Sequence, residues 1–125
     1  SIDTVVASNL HADILTDLAA SLSGSMGIAP TANLDPDKRH PSMFEPIHGS
    51  AFDIMGKGIA NPIGSYWSAV LMLENLGELQ AAQKLMFAIE KLTEDKKVLP
   101  KDLGGTSTTK QITKAMIDII SGKNN

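Results

Sequence analysis

The sequence predicts an α/β fold with about four helices and a few short strands. Four stretches place apolar residues three and four positions apart, which is the spacing of an amphipathic helix. Three shorter segments, at residues 4–7, 28–33 and 43–47, are extended or β-branched in character and predict strands. Glycine and proline separate these segments, so each element has a recognisable boundary.

The composition fits one domain of ordinary size that binds neither nucleic acid nor membrane. With 125 residues, of which 42% are hydrophobic, the chain can bury a core. Its net charge of −3 provides no basic field for nucleic acid or anionic lipid. No apolar run approaches the ~20 residues of a membrane span, and no signal pattern is visible. Because cysteine is absent, disulfides are excluded. From the lack of a membrane span and of a signal pattern, we expect a cytoplasmic protein.

The first helix is predicted over residues 10–22, directly after the predicted strand at residues 4–7. The run Thr-Val-Val-Ala in that strand is β-branched and apolar, which favours a buried position. Asn9 is a suitable residue to cap the helix. Apolar residues at four-residue spacing form one stripe along the helix. This stripe consists of Leu10, Ile14, Leu18 and Leu22.

Two aspartates lie one turn apart on this predicted helix. Asp13 and Asp17 would project from the same face, where their like charges repel unless a cation lies between them. Two hard oxygen ligands at this spacing can bind Mg²⁺ or Mn²⁺. They can also simply complement the helix dipole and face water. The spacing alone leaves both interpretations open.

A glycine-rich loop over residues 44–62 is the second candidate site. Its glycines, at positions 49, 56 and 58, permit turns closed to bulkier residues and allow close approach of a ligand. Asn61 and Pro62 predict a helix start, whose free N–H groups favour a phosphate. Asp53 could accept hydrogen bonds from both hydroxyls of a ribose. A plain surface loop with a turn at Asp53 explains the same residues.

Three further helices follow the loop. The apolar pattern predicts one helix from Pro62 to a stop at Gly77 and another over residues 79–92. The last helix is predicted to begin at Thr106 or Ser107.

Three segments together, at residues 8–17, 44–54 and 58–62, resemble the β-decarboxylating dehydrogenases. This family includes isocitrate, 3-isopropylmalate, D-malate and tartrate dehydrogenases, and the resemblance covers essentially the whole chain. Residues 27–30 and 33–44 look most like its tartrate and D-malate branch. The resemblance implies the C-terminal portion of the isopropylmalate dehydrogenase-like fold.

The resemblance also assigns site residues. Asp13 and Asp17 match the metal-binding pair, and a third metal aspartate is expected upstream, acting across a homodimer interface. Asp53 matches the residue on the adenosine ribose, and Asn61 matches a residue near the adenine. Ile54 stands where NADP-using relatives carry a bulky polar residue, which implies NAD. The full set that matches the cofactor loop is His48, Gly49, Ser50, Ala51, Asp53, Ile54 and Asn61.

The implied activity is NAD-dependent and Mg²⁺- or Mn²⁺-dependent oxidation and decarboxylation of a 2-hydroxy acid such as tartrate or D-malate. Residues 1–24 would belong to the smaller, dimer-interface domain and residues 25–125 to the larger, NAD-binding domain. The catalytic Tyr and Lys are expected upstream, so we assign no catalytic residue here and expect this chain alone to be inactive. A 3-isopropylmalate dehydrogenase is an alternative. A non-catalytic, helix-rich interaction module, with a structural acidic pair and loop, is an alternative of another class.

Overall fold

A computed structural model of the chain describes residues 2–123, which contain four α-helices and one two-stranded antiparallel sheet. This confirms the α/β class and the number of helices. No helix in this range has the length and apolar character required to cross a membrane. Residues 1, 124 and 125, which the predicted domain ranges include, lie outside the described part. In chain order the elements are α1 Asn9–Leu22, β1 Pro30–Asn33, β2 Met43–Pro46, α2 Ile63–Asn75, α3 Leu79–Asp95 and α4 Thr109–Ile120.

The predicted strand at residues 4–7 is wrong. These residues form no strand, and Val6 exposes 95% of its surface. Strand formation requires a neighbouring strand for the backbone and a surface for the side chains. Within residues 2–123 only β1 and β2 pair with each other, so the segment has neither.

Helix α1 begins one residue earlier than predicted, and Asn9 is not its cap. Ser8 precedes the helix in an extended conformation, but its side chain does not cap it. Its Oγ instead lies 2.8 Å from Nδ1 of His11. Asn9 lies inside the first turn, where its amide donates to the carboxylate of Asp13 at 3.2 Å.

The apolar stripe of α1 is exposed to solvent. Leu18, for example, exposes 57% of its surface, whereas Ala20 on another face of the helix is buried. The short 3₁₀ turn Met26–Ile28 is the main element that α1 contacts. This small contact surface accommodates the small side chain of Ala20, and the larger aliphatic side chains remain in solvent. The exposed aliphatic side chains of α1 are the stripe residues Leu10, Ile14, Leu18 and Leu22, together with Leu15.

The core forms around α2. On one side α2 packs against both strands and the Met26–Ile28 turn, and on the other it packs against α3, which in turn contacts α4. The hydroxyl of Tyr66 lies 2.7 Å from Oγ1 of Thr113, which links α2 directly to α4. Burial of this apolar surface is the main stabilising contribution. The buried core residues are Ile63, Val70, Ala82, Ala88, Ile89, Leu92, Ile112 and Met116.

The ends of α2 follow the predicted signals closely. The side chain of Asn61 caps the helix, because its Oδ1 accepts from the N–H of Ile63 at 2.9 Å. Pro62 flanks the helix and Ile63 is its first residue, a difference of one position. Gly77 follows the last turn with a φ of +83°, which favours glycine, and ends the helix as predicted.

Helix α3 is confirmed over the predicted segment, whereas α4 begins later than Thr106 or Ser107. The cap is Thr108, whose Oγ1 accepts from the N–H of Gln111. In return, Oε1 of Gln111 accepts from the N–H of Thr108 at 2.8 Å. This reciprocal capping box satisfies two N–H groups at the start of the helix and therefore sets the boundary.

Candidate functional site

An open cleft of about 990 Å³ lies between α1 and the rest of the chain. One wall is the side of α1 that carries Asp13 and Asp17. The opposite wall comes from the Met26–Ile28 turn, the two strands and Trp67 of α2. The cleft combines carboxylates, hydroxyls and an indole, a mixture that suits a small polar ligand.

The two aspartates of α1 line this same cleft. Their four-residue spacing explains the shared side, since successive turns of a helix carry such residues one above the other. Asp13 accepts a hydrogen bond from Asn9. Within residues 2–123, no Lys, Arg or His forms an ion pair with either carboxylate. Two like charges therefore lie close together without a protein cation to compensate them.

This donor set fits a divalent ion that is only partly held by the chain. Among the described residues, no group of three or more His, Cys, Asp or Glu side chains could hold a metal. Mg²⁺ and Mn²⁺ commonly take one or two protein carboxylates and complete their coordination with water and substrate oxygens. Asp13 and Asp17 suit that open arrangement and not a closed structural site.

The predicted cofactor loop is open to solvent. Asp53 is exposed in a single 3₁₀ turn, Phe52–Ile54. Ala51, just before it, has a φ of +43°, a left-handed conformation that costs a non-glycine residue roughly 1 kcal/mol. Gly56 also has a positive φ, but Gly49 does not, so the special conformation expected there lies at Ala51 instead.

The remaining loop residues are accessible as well. Nδ1 of His48 lies 3.0 Å from the carbonyl oxygen of Gly49. This contact holds the imidazole beside the backbone of the loop. Ser50 is exposed and Ile54 is half-buried. The loop therefore presents both polar and apolar groups to a ligand.

Asn61 differs from the other predicted loop residues because its side chain is already bonded at both ends. In addition to capping α2, its Nδ2 donates to Oδ2 of Asp102 at 2.8 Å. The buried hydroxyl of Ser25 donates to the same carboxylate oxygen. Neither Ser25 nor Asp102 was predicted as a site residue. No local pattern identifies them, because the three residues are far apart in sequence.

Thr109, another residue that was not predicted, anchors the end of the loop. Its N–H donates to the carbonyl of Gly58 at 2.9 Å, and its hydroxyl donates to the carbonyl of Ala60. The start of α4 therefore fixes the end of the loop that leads into α2. Residues 49–53, further from this anchor, stay exposed.

Asp13 and Asp17 do not share a pocket with the residues predicted to bind the cofactor. No residue at positions 48–61 lines the cleft, although Glu45 and Ile47 at the start of the glycine-rich loop do. Ser25 connects the two regions, because it lines the cleft and also bonds the Asp102 that holds Asn61. The residues predicted to bind the metal and those predicted to bind the cofactor therefore lie in two separate regions.

Known proteins with similar sequences identify the family of this chain. The isocitrate/isopropylmalate dehydrogenase family model matches residues 1–120. A probable tartrate dehydrogenase/decarboxylase of Agrobacterium vitis is 61% identical over 99% of this chain and 34% of its own length. The decarboxylating D-malate dehydrogenase of Escherichia coli strain K12 is 47% identical over 94% of this chain and 34% of its own length.

A solved structure agrees with the fold. The crystal structure of isocitrate dehydrogenase from Methylococcus capsulatus superimposes with a TM-score of 0.83 at 39% identity, covering 90% of this chain and 33% of that protein. The chain thus spans about a third of the length of the relatives it matches. With a matching family model over nearly its whole length, the chain belongs to the isocitrate/isopropylmalate dehydrogenase family.

Proposed function

We propose that this chain forms the C-terminal part of an NAD-dependent, Mg²⁺- or Mn²⁺-dependent enzyme that oxidises and decarboxylates a 2-hydroxy acid of the tartrate or D-malate type. The observation that carries the proposal is the acidic pair of α1, Asp13 and Asp17, which faces an open cleft and forms no ion pair with a Lys, Arg or His among residues 2–123. The identity to a probable tartrate dehydrogenase/decarboxylase supports the choice of substrate class.

In this proposal Asp13 and Asp17 hold the divalent ion at the α1 wall of the cleft. When bound, the ion supplies Lewis-acid chemistry to the hydroxy acid. The two carboxylates contribute the negative charge that retains the ion, and their position directs the substrate into the cleft. The strands and Trp67 form the opposite wall of the cleft.

The loop binds the adenosine half of NAD. Asp53 accepts hydrogen bonds from the ribose hydroxyls, and its negative charge repels the 2′-phosphate of NADP. Ile54 adds no positive charge that would attract such a phosphate. Asn61 lies near the adenine, and the backbone of residues 48–51 approaches the cofactor. The hydride chemistry belongs to the nicotinamide.

The rest of the active site comes from outside this chain. The catalytic Tyr and Lys and a third metal aspartate belong to the remaining two thirds of the enzyme, so this chain alone is inactive. Residues 1–24 belong to the smaller domain and residues 25–125 to the larger one. The limited contact of α1 with the rest of the chain supports this division.

A homodimer and a cytoplasmic location complete the proposal. The exposed apolar stripe of α1 supports the homodimer, since a second subunit would remove these aliphatic side chains from water. The acidic balance of the chain, with a net charge of −3, supports a small-molecule substrate over nucleic acid as the partner.

The test is an activity screen of the full-length protein that carries this chain. Reduction of NAD⁺ and release of CO₂ are measured with tartrate, D-malate and 3-isopropylmalate, in the presence of Mn²⁺ and after its removal by EDTA. We expect the highest kcat/KM with tartrate or D-malate, and loss of activity with EDTA. Preference for 3-isopropylmalate would favour that dehydrogenase instead. No turnover of any acid and no binding of NAD⁺ would favour a non-catalytic module.

A further inference from the structure

We infer that Asp102 is a positioning residue that sets the orientation of the Asn61 carboxamide and thereby makes the adenine site selective for the 6-amino group. This inference rests on the proposed function, which places Asn61 near the adenine of NAD. Asp102 lies 41 residues after Asn61 in the sequence, outside the cofactor loop.

The bonds of Asn61 permit only one orientation of its carboxamide. Its Nδ2 donates to Asp102 at 2.8 Å, and its Oδ1 accepts from the N–H of Ile63 at 2.9 Å. An ionised carboxylate only accepts and a backbone N–H only donates. A rotation of the carboxamide by 180° would therefore place acceptor against acceptor and donor against donor. Asp102 and the N–H of Ile63 together therefore determine which side of the carboxamide carries Oδ1 and which carries Nδ2.

The fixed carboxamide keeps hydrogen-bonding capacity for a ligand. Oδ1 retains a second lone pair and Nδ2 a second hydrogen after both protein bonds are made. Adenine presents a complementary pair, because its 6-amino group donates and its N7 accepts, and asparagine can contact both. Hypoxanthine carries an oxygen at position 6 and cannot donate there. An Asn61 held in one orientation would therefore distinguish the two bases.

Asp102 is itself held by residues remote in sequence. The hydroxyl of Ser25, which is 8% exposed, donates to the same carboxylate oxygen. The backbone at Gly27 packs directly beside the pair, since a Cβ there would lie 2.5 Å from Oδ2 of Asp102 and 3.1 Å from Nδ2 of Asn61. The carboxylate of Asp102 is thus confined between the Met26–Ile28 turn and Asn61.

The experiment compares two dinucleotides on the full-length protein. Dissociation constants for NAD⁺ and for nicotinamide hypoxanthine dinucleotide are measured by calorimetry for the wild type, Asp102→Ala, Asp102→Asn and a control, Asp118→Ala. The control removes a carboxylate that pairs with Lys114 on α4.

We expect the wild type to bind NAD⁺ more tightly than the hypoxanthine analogue. Asp102→Ala should weaken NAD⁺ binding roughly tenfold, the effect of losing one charge-assisted hydrogen bond. It should weaken the analogue much less, because an Asn61 held only by the N–H of Ile63 can turn its amide toward the oxygen more easily than one held by both bonds. Asp102→Asn keeps an acceptor for Asn61 and should restore most of the preference. The KM for the hydroxy acid and the preference of Asp118→Ala should not change.

Gly27→Ala provides a second variant if Asp102→Ala fails to fold. It retains the carboxylate but crowds the pair, and should reduce the preference for NAD⁺ in the same way. A lower Tm with an unchanged preference would overturn the inference and leave Asp102 a merely structural role. A wild type that binds both dinucleotides equally would overturn it while the proposed function stands. A wild type that binds neither would overturn both.

Discussion

Asn61 donates a hydrogen bond from Nδ2 to Oδ2 of Asp102 at 2.8 Å, across 41 residues of sequence. This bond ties the last residues of the cofactor loop to a distant 3₁₀ turn, Lys101–Leu103. Thr109 anchors the same end of the loop through Gly58 and Ala60. The loop therefore combines an end held by hydrogen bonds with an exposed end around Asp53.

The metal assignment predicts a large effect of Asp17→Asn. This change retains the shape of the side chain but removes one of the two carboxylates that face the cleft. We expect the Mn²⁺ concentration for half-maximal activity of the full-length enzyme to rise by roughly a hundredfold, because loss of a ligand should cost at least as much as loss of an outer partner. Asp118→Asn, remote on α4, should leave it unchanged. An unaltered Mn²⁺ titration for Asp17→Asn would refute the assignment.

The cofactor assignment predicts a change of preference in Asp53→Ala. Without its carboxylate, the loop loses hydrogen bonds to the ribose and no longer repels a 2′-phosphate. We expect kcat/KM for NAD⁺ to fall about tenfold or more, with a smaller change for NADP⁺. Asp37→Ala, which removes an exposed carboxylate paired with Arg39, is the matched control. Equal losses with both cofactors would contradict a role for Asp53 in selectivity.

The exposed stripe of α1 predicts association through this helix. Leu18→Lys places a charge on a side chain that a second subunit would bury, whereas Leu79→Lys changes an equally exposed leucine on α3. Both leucines are 57% exposed in the single chain. Light scattering of the full-length protein should show a monomer only for Leu18→Lys. A dimer in both variants would place the interface elsewhere.

Two isoleucines of α4 predict a contrast in stability. Ile112 is fully buried in the core, whereas Ile117 is 57% exposed. Ile112→Ala leaves a cavity and should lower the free energy of unfolding by about 3 kcal/mol. Ile117→Ala makes the same substitution at an exposed position of α4 and should lower the free energy of unfolding by less than about 1 kcal/mol. Urea unfolding of the two variants measures the difference, and equal losses would contradict the described packing of α4.

The ion pairs of Lys91 with Glu94 and Asp95 should make the stability of the protein depend slightly on pH. Its hydrogen bond to Asp95, 2.9 Å away, together with the charges of Asp95 and Glu94, raises the pKa of Lys91 above its ordinary value of 10.5. The folded state therefore binds this proton more tightly than the unfolded state. The stabilisation is fully present below pH 10.5 and is lost as the pH rises through the raised pKa. Lys91→Met should accordingly be less stable than the wild type at pH 8, and the difference in urea midpoint should shrink at higher pH.

The outcome for α1 shows where inference from sequence reached its limit. Its helical spacing, acidic pair and apolar stripe were all visible in the sequence, and the helix formed. The stripe is exposed in this chain, and its pattern indicates that a face is apolar and not which partner covers it. The strand at residues 4–7 failed for a similar reason, since its propensity requires a neighbour that the described residues do not provide.

The sequence by itself determined the local features of this protein: the four helices, the Asn61 cap, the stop at Gly77 and the shared side of Asp13 and Asp17. These depend on contacts within about one helical turn, which residue spacing encodes directly. Only the tertiary structure decided that Ser25, Asn61 and Asp102 meet, and that residues 48–61 lie outside the cleft. Such contacts depend on how separate segments pack around α2, and no local pattern of residues specifies that packing.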